Sequence, residues 1–298
     1  MKRVLLFVAT NLAVLVLFTL IARIFGIDQY VTANGYSFPG LLLFAALFGM
    51  GGAFISLAMS RRIALWQTHA QVIGQPQNET ERWLLATVAE HARSAGIGMP
   101  EVAVYEGPEM NAFATGMNRN HALVAVSSGL LENMDREQVR AVLGHEIGHV
   151  ANGDMVTLTL IQGVVNTFVI VAARIVGGVV DSWMSGGRNR EQGGSAGGIG
   201  YFVTVMVLEV VFGILASMIV MAFSRWREFR ADAAGAQLAG RGAMISALQR
   251  LGATYGESTL PKTIAAFGIS GHVAHGLRRL FMSHPPLEER IAALRAAA

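Results

Sequence analysis

Asp135-Arg136-Glu137-Gln138-Val139-Arg140-Ala141-Val142-Leu143-Gly144-His145-Glu146-Ile147-Gly148-His149-Val150-Ala151-Asn152-Gly153 is the stretch from which the rest of the chain is best read. Asp135 suits an N-cap, and Gln138 stands three residues on, as in a capping box. Val139, Val142 and Leu143 supply an apolar stripe, and Asn152-Gly153 suits the C-terminal stop. A helix from about Asp135 to Asn152 is therefore expected. On it, His145 and His149 stand at i and i+4 on one face and direct two imidazoles at one point. Glu146 lies one step round the helix. This is the HExxH pattern, whose chemistry calls for zinc: two neutral imidazoles, a third protein ligand, and a fourth position left for water. Zinc acidifies water near neutral pH. Glu146 is the candidate base that takes the water proton and delivers it to a leaving amine.

The third ligand has to come from elsewhere. Trp226-Arg227-Glu228-Phe229-Arg230-Ala231-Asp232 carries two carboxylates at i and i+4, Glu228 and Asp232. One can bind metal while the other accepts the second ring N–H of a ligand histidine and holds its tautomer. An acidic pair at this spacing also suits a plain solvated helix face. What favours the first reading is the sequence between the motifs. An apolar run starts after Asp154 and another ends at Ser224, so a hairpin between them returns Glu228 towards His149.

Those runs belong to a set of four, at about 4–25, 38–60, 155–180 and 199–224. Each approaches or exceeds the roughly 20 residues that span a bilayer core. Hydrophobic residues make up 53% of the 298-residue chain and charged ones 14%, which suits a solvent other than water. Lys2 and Arg3 precede the first run, Arg61 and Arg62 follow the second, and no Lys or Arg lies between Gly26 and Ser37. The positive-inside rule then puts both ends of this first hairpin in the cytoplasm. Arg174 and Glu209 lie within the later runs and are candidates to pair. The absence of cysteine excludes disulfides and Cys-based metal sites, and no Lys/Arg-rich run suits a nucleic acid.

The expected organisation is an N-terminal membrane hairpin over 1–62, a first soluble part over 63–154, a second hairpin over 155–224, and a second soluble part over 225–298. In the soluble parts, Asn78–Ala95 reads as a helix with Trp83, Leu84, Thr87, Val88 and His91 on one face. Glu101–Tyr105, Asn111–Thr115 and His121–Ser127 read as extended. Trp226–Leu238, Gly242–Leu251 and Leu287–Ala297 read as helices. The fold class is mainly α with a small β-sheet: an integral membrane protein with four apolar helices and a zincin-like peptidase domain.

His145-Glu146-x-x-His149 followed by Asn152-Gly153-Asp154, with Glu228-Phe229-Arg230-Ala231-Asp232, resembles the HtpX family of membrane metallopeptidases over essentially the whole chain. These are relatives of the CAAX prenyl protease and the Oma-type peptidases. The resemblance implies a bacterial inner-membrane zinc endopeptidase, one Zn²⁺ per chain, facing the cytoplasm. It would act in stress response and quality control on unfolded or membrane-protein substrates. It supports Glu228 as third ligand and places Asp232, with Asn152, behind the ligands. It also draws attention to Asn111-Ala112-Phe113-Ala114, which in relatives belongs to an active-site edge strand and is a candidate substrate-binding segment. An exposed strand edge takes an extended peptide by backbone pairing, although an ordinary hairpin strand fits the residues as well. His284, in His284-Pro285-Pro286-Leu287, is the candidate to stabilise the tetrahedral oxyanion, with Arg290 the weaker one. His272 and His275 are read as surface or packing residues. A narrower CAAX-type processing peptidase and a membrane scaffold with a vestigial zinc site are the alternative functions; homo-oligomerisation stays open.

Overall fold

The computed structural model describes residues 37–184, 199–254 and 280–297, together with Val16, Thr19, Leu20, Arg23, Ile24, Gly26 and Gln29. The first apolar run, His272 and His275, and the Gly-rich stretch 185–198 therefore lie outside the described residues, apart from those isolated positions. Helices α1 (Phe38–Thr68), α2 (Glu79–Ser94), α3 (Ser128–Asn133), α4 (Arg136–Asn152), α5 (Asp154–Met184), α6 (Ile199–Ala239), α7 (Arg241–Thr254) and α8 (Leu287–Ala296) accompany four strands. These are β1 (Gln71–Val72), β2 (Glu101–Tyr105), β3 (Ala112–Thr115) and β4 (Leu123–Ser127). The chain divides into two compact units, Met1–Ser56 with Leu158–Val220, and Leu57–Thr157 with Met221–Ala298.

In the first unit, three apolar helices supply the packing. Among the described residues, three helices are long and apolar enough to cross a membrane: α1, α5 and the Gly200–Ala239 part of α6. Four were expected; the segment that would make the fourth, 4–25, is outside the described residues apart from Val16, Thr19, Leu20, Arg23 and Ile24. Small residues set the approach of α1 to α5. A Cβ added at Gly49 would lie 2.6 Å from the backbone nitrogen of Thr167, and one at Gly163 would lie 3.1 Å from Cα of Met50. In lipid, where apolar burial gives no drive to associate, close packing of this kind contributes to helix adhesion. Arg174 and Glu209 pair as expected, Nη1 to Oε1 at 2.6 Å. The Arg174 guanidinium also lies 4.8 Å from the centroid of the Phe44 ring. Phe202, Val207, Val210, Ile214 and Ile219 of α6 stay exposed, an apolar surface suited to lipid tails.

The second unit is built on a four-stranded sheet in the order β1-β2-β4-β3. β2 and β4 are parallel, with Glu101 opposite Leu123 and Tyr105 opposite Ser127. β1 and β3 flank them antiparallel. Alternation along the strands separates two faces. Val102, Val124 and Val126 pack with Leu84 and Val88 of α2, Leu143 and Ile147 of α4, and Met244 and Leu248 of α7 in the main core. Ala103, Leu123 and Ala125 form the other face, covered by Leu65, Ala70, Tyr105 and Phe113. The N-cap of α2 is Asn78, whose side chain accepts from the Glu81 backbone N–H.

Two helices run further than the sequence pattern suggests. α1 continues past Arg61 and Arg62 to Thr68, and Arg61 Nε donates to Glu101 Oε2 at 2.9 Å. The apolar run ending at Ser224 and the expected helix Trp226–Leu238 are one helix, α6. Neither Gly nor Pro separates them, so polarity changes along the helix without a break.

Candidate metal centre

The centre is assembled from α4, the part of α6 from Met221 onward, and the segment that leads into α8, all in the second unit. α4 has the expected ends. The Asp135 side chain accepts from the Gln138 backbone N–H and the Gln138 side chain accepts from the Asp135 N–H, a complete capping box. Gly153 closes the helix at φ 72°, a left-handed conformation that suits glycine. Between these ends His145 and His149 stand one turn apart, ring centroids 4.7 Å apart and planes at 86°.

Glycines bring α6 against this turn. A Cβ added at Gly148 would lie 2.7 Å from Ala234 Cβ, and one at Gly144 would lie 3.2 Å from Gly235 Cα. A Cβ at Gly235 would in turn lie 3.1 Å from the backbone nitrogen of His145. Only small residues on both helices permit this approach, and it carries Glu228 to the two imidazoles. His145 Nε2 lies 3.5 Å from Glu228 Oε2, and His149 Nε2 lies 3.3 Å from Glu228 Oε1. One donor atom from each of His145, His149 and Glu228 falls within 4.8 Å of the others, and all three residues are buried.

The far nitrogen of each histidine is held by a second carboxylate. His145 Nδ1 lies 3.0 Å from Asp232 Oδ1, and His149 Nδ1 lies 2.7 Å from Asp154 Oδ2. In the neutral imidazole this leaves Nδ1 protonated as donor and the Nε2 lone pair aimed at Glu228, the tautomer a metal needs. Burial by itself would depress the pKa of His149. The bonds to Asp154 and Glu228 and the nearby Glu146 charge reverse this and raise it to about 9. His145 is raised too, where its bonds to Asp232 and Glu228 outweigh burial. Glu228 Oε1 is fully buried and makes no well-aligned hydrogen bond, with His149 Nε2 3.3 Å and Arg227 Nε 4.0 Å away. A buried carboxylate oxygen in that condition is costly unless a cation meets it. The residues present therefore fit a metal ion held by His145, His149 and Glu228.

Glu146 is buried beside His145, close enough for its charge to act on His149 and Arg290. His284, expected near the substrate carbonyl, stands with Nδ1 2.7 Å from Glu228 Oε2 and a half-exposed side chain. Arg290 is buried instead. Its Nε donates to Asp232 Oδ2 at 2.7 Å and its Nη2 to Asp232 Oδ1 at 2.5 Å, while Nη1 lies 3.6 Å from Glu228 Oε2. Asn152 does not stand behind a ligand; its Oδ1 accepts from Arg230 Nη2 at 3.3 Å. The place behind His149 belongs to Asp154, a residue to which the sequence by itself gives no role. Its signal was the Asn152-Gly153-Asp154 turn: a left-handed glycine reverses the chain and returns the next residue to the last helical turn. Asn111 anchors the start of β3, its carbonyl accepting from the Ser127 N–H at 2.9 Å and its N–H donating to Ser127 Oγ at 3.0 Å. Ala112, Phe113 and Ala114 lie on the outermost strand of the sheet.

The sequence matches the family model described as Peptidase family M48 over residues 78–298. It is 62% identical over 296 residues to a Protease HtpX of Xanthomonas euvesicatoria pv. vesicatoria (strain 85-10), covering 99% of this chain and 98% of the relative. It is likewise 62% identical over 295 residues to a Protease HtpX of Stenotrophomonas maltophilia (strain R551-3), again covering 99% and 98%. Among solved structures, the crystal structure of S. mikatae Ste24p shares the fold, with a TM-score of 0.59 at 17% identity over 97% of this chain and 67% of that one.

Proposed function

The chain belongs to peptidase family M48 and is a membrane-anchored metalloprotease; from that premise we propose that its metal is zinc and that it acts as an endopeptidase on unfolded or damaged membrane-protein segments. The observation that carries the zinc assignment is the buried cluster itself: one donor atom from each of His145, His149 and Glu228 lies within 4.8 Å of the others, and the Nδ1 atom of each histidine is already engaged by a second carboxylate. His145, His149 and Glu228 would hold the ion. When bound, zinc would polarise the scissile carbonyl and acidify water. Glu146, the remaining carboxylate on this turn of α4, takes the proton from the attacking water and gives it to the leaving amine. Asp232 and Asp154 fix the orientation and tautomer of the two histidines. Arg290 holds Asp232 in place and sets a positive charge beside Glu228. His284 has its imidazole at the same carboxylate with part of its surface open to solvent, a position from which its ring can meet the charge developing on a substrate oxygen.

Substrate would lie along β3, whose outer edge offers backbone groups to an extended chain. This mode reads backbone and suits varied, unfolded segments. The cytoplasmic orientation rests on Lys2, Arg3, Arg61 and Arg62 flanking a loop without Lys or Arg, in an inner membrane of the kind the relatives' bacterial hosts possess. Because the chain has no thiols, single cysteines on either side of the apolar runs report the orientation directly.

The test is Glu146→Gln in detergent-purified protein handled without chelator. The variant is expected to keep one zinc per chain and to lose cleavage of an unfolded protein by about 10²–10⁴-fold, the usual contribution of a general base. Cleavage at the wild-type rate would remove Glu146 from the mechanism. Loss of zinc along with activity would make it a ligand instead.

A further inference from the structure

The outer edge of β3, unpaired among the described residues, has a definite phase. The Ser127 N–H donates to the Asn111 carbonyl, so Asn111 and Ser127 form a hydrogen-bonded pair. The antiparallel register continues from it as Ala112 to Val126, Phe113 to Ala125, Ala114 to Val124 and Thr115 to Leu123. Hydrogen-bonded and non-hydrogen-bonded pairs alternate in such a ladder. Phe113 and Thr115 therefore bond inward to β4, and the N–H and C=O groups of Ala112 and Ala114 point to the open edge.

The side chains divide the other way. Ala112 and Ala114 belong to the face packed on the main core, with Ala114 buried. They offer an incoming strand nothing larger than a methyl group. Phe113 is on the opposite face, half-buried, with its ring centroid 5.8 Å from that of Tyr105. Leu65 and Ala70 pack in the same cluster. The result is an aromatic platform one residue out of step with the backbone groups that would bind a peptide.

We infer that Phe113, backed by Tyr105, reads one side chain of the substrate, selecting extended segments with an aromatic or β-branched residue level with it. This rests on the reading of β3 as the strand beside which substrate adds. A peptide added antiparallel pairs its backbone with Ala112 and Ala114. The residue opposite Phe113 then occupies a non-hydrogen-bonded position, where side chains across a pair come closest. Aromatic pairs and aromatic–β-branched pairs are the favourable combinations there. Residues on either side of it turn towards Ala112 and Ala114, so preference is confined to alternate positions.

The full-length, zinc-loaded protein in detergent is tested on peptides of one sequence, with Ala, Val or Phe scanned through each position. Wild type is expected to favour Val and Phe over Ala in kcat/KM by about two- to five-fold at one position of an alternating series. F113A collapses that ratio towards one. F113L, which keeps an apolar side chain in the strand, retains the preference for Val and loses that for Phe. It serves as the decisive variant if F113A melts earlier than wild type. An unchanged ratio in both variants overturns the inference, as does an equal loss on every peptide, which would mark a structural role. Failure of wild type to cleave any peptide while holding zinc overturns the endopeptidase reading itself, and the inference falls with it.

Discussion

Asp154 Oδ2 lies 2.7 Å from Nδ1 of His149, although Asp154 is the first residue of α5 and His149 belongs to α4. The contact is made across Gly153, whose positive φ turns the chain back on itself. Asp154 therefore acts on the metal through His149, orienting the ring and strengthening its Nε2 as a donor. Asp154→Ala is expected to weaken zinc binding by about 10–100-fold, as outer partners of metal histidines usually do. Competition with a zinc chelator measures it. Asp154→Asn should fall between wild type and Ala, since it keeps an acceptor and loses the charge. Wild-type zinc affinity in Asp154→Ala would remove the residue from the site.

Gly148 has no side-chain chemistry, yet the centre depends on it. Gly148 occupies one of the two unspecified positions of the HExxH motif, and a Cβ there would lie 2.7 Å from Ala234 Cβ. Gly148→Val places a branched side chain into that contact. The cost of such overpacking is about 1–3 kcal/mol, and more where backbone cannot give way. Here the strain falls on the contact that sets Glu228 against the imidazoles. Zinc content and melting temperature should fall together. Ala234→Gly, which opens space opposite, should restore part of both in the double variant. If Gly148→Val binds zinc like wild type, small residues do not set this approach.

The difference between these two sites shows what the sequence made legible. The ends of α4 are local matters: Asp135, Gln138 and Gly153 lie within a few residues of the groups they satisfy, so both boundaries and the His145/His149 face could be read directly. Glu228 and Asp232 were found by helical spacing, helped by apolar runs that return the chain to the same place. The role of Asp154 depends on the reversal at Gly153: the Asn152-Gly153-Asp154 turn signals that the chain comes back to His149, and only the packed structure shows that Asp154, not Asn152, meets the ring. Arg290 presents the same difficulty across 58 residues: any arginine on α8 could be written opposite Asp232, and packing alone selects this one. The parallel pairing of β2 with β4 and the two-residue β1 are likewise products of tertiary contact. Alternation shows that a strand exists and says nothing of its neighbour.

Arg290 and Asp232 form a buried two-bond pair, Nε to Oδ2 at 2.7 Å and Nη2 to Oδ1 at 2.5 Å. The fork matches the carboxylate, and a lysine cannot reproduce it. Removing the cation leaves Asp232 buried with His145 as its remaining partner among the described residues. Arg290→Met is expected to destabilise the zinc-loaded protein by about 3–5 kcal/mol, the usual cost of leaving a buried charge unpaired. Arg290→Lys should recover only part of that. The pair Arg290→Met with Asp232→Leu separates the two roles. It should regain stability relative to Arg290→Met while zinc affinity stays low, because His145 then lacks its Nδ1 acceptor. Additive losses in the double variant would show that the pair is not coupled.

His91 gives the protein an acid-sensitive element away from the metal. It is buried on α2, and its Nε2 donates to the Arg140 carbonyl at 3.0 Å, joining α2 to α4. Burial is the main cause that lowers its pKa below the ordinary 6.5; the bond to the Arg140 carbonyl opposes this and the Arg140 charge adds to it. The unfolded chain takes up a proton near pH 6.5, whereas the folded one resists until lower pH. The folded state thus binds fewer protons below 6.5, and stability must fall as pH falls through that window. Above it, the contribution of His91 is fully present. His145 and His149 carry the opposite sign in metal-free protein, because their pKa values are raised. The test therefore compares wild type with His91→Gln, which keeps a donor for the Arg140 carbonyl and cannot be protonated. In chelator, His145 and His149 contribute equally to both proteins and cancel. The melting temperature of wild type should exceed that of His91→Gln by most above pH 7, and the gap should narrow or reverse towards pH 5. A gap that stays constant across this range would show that His91 is not held neutral by its burial.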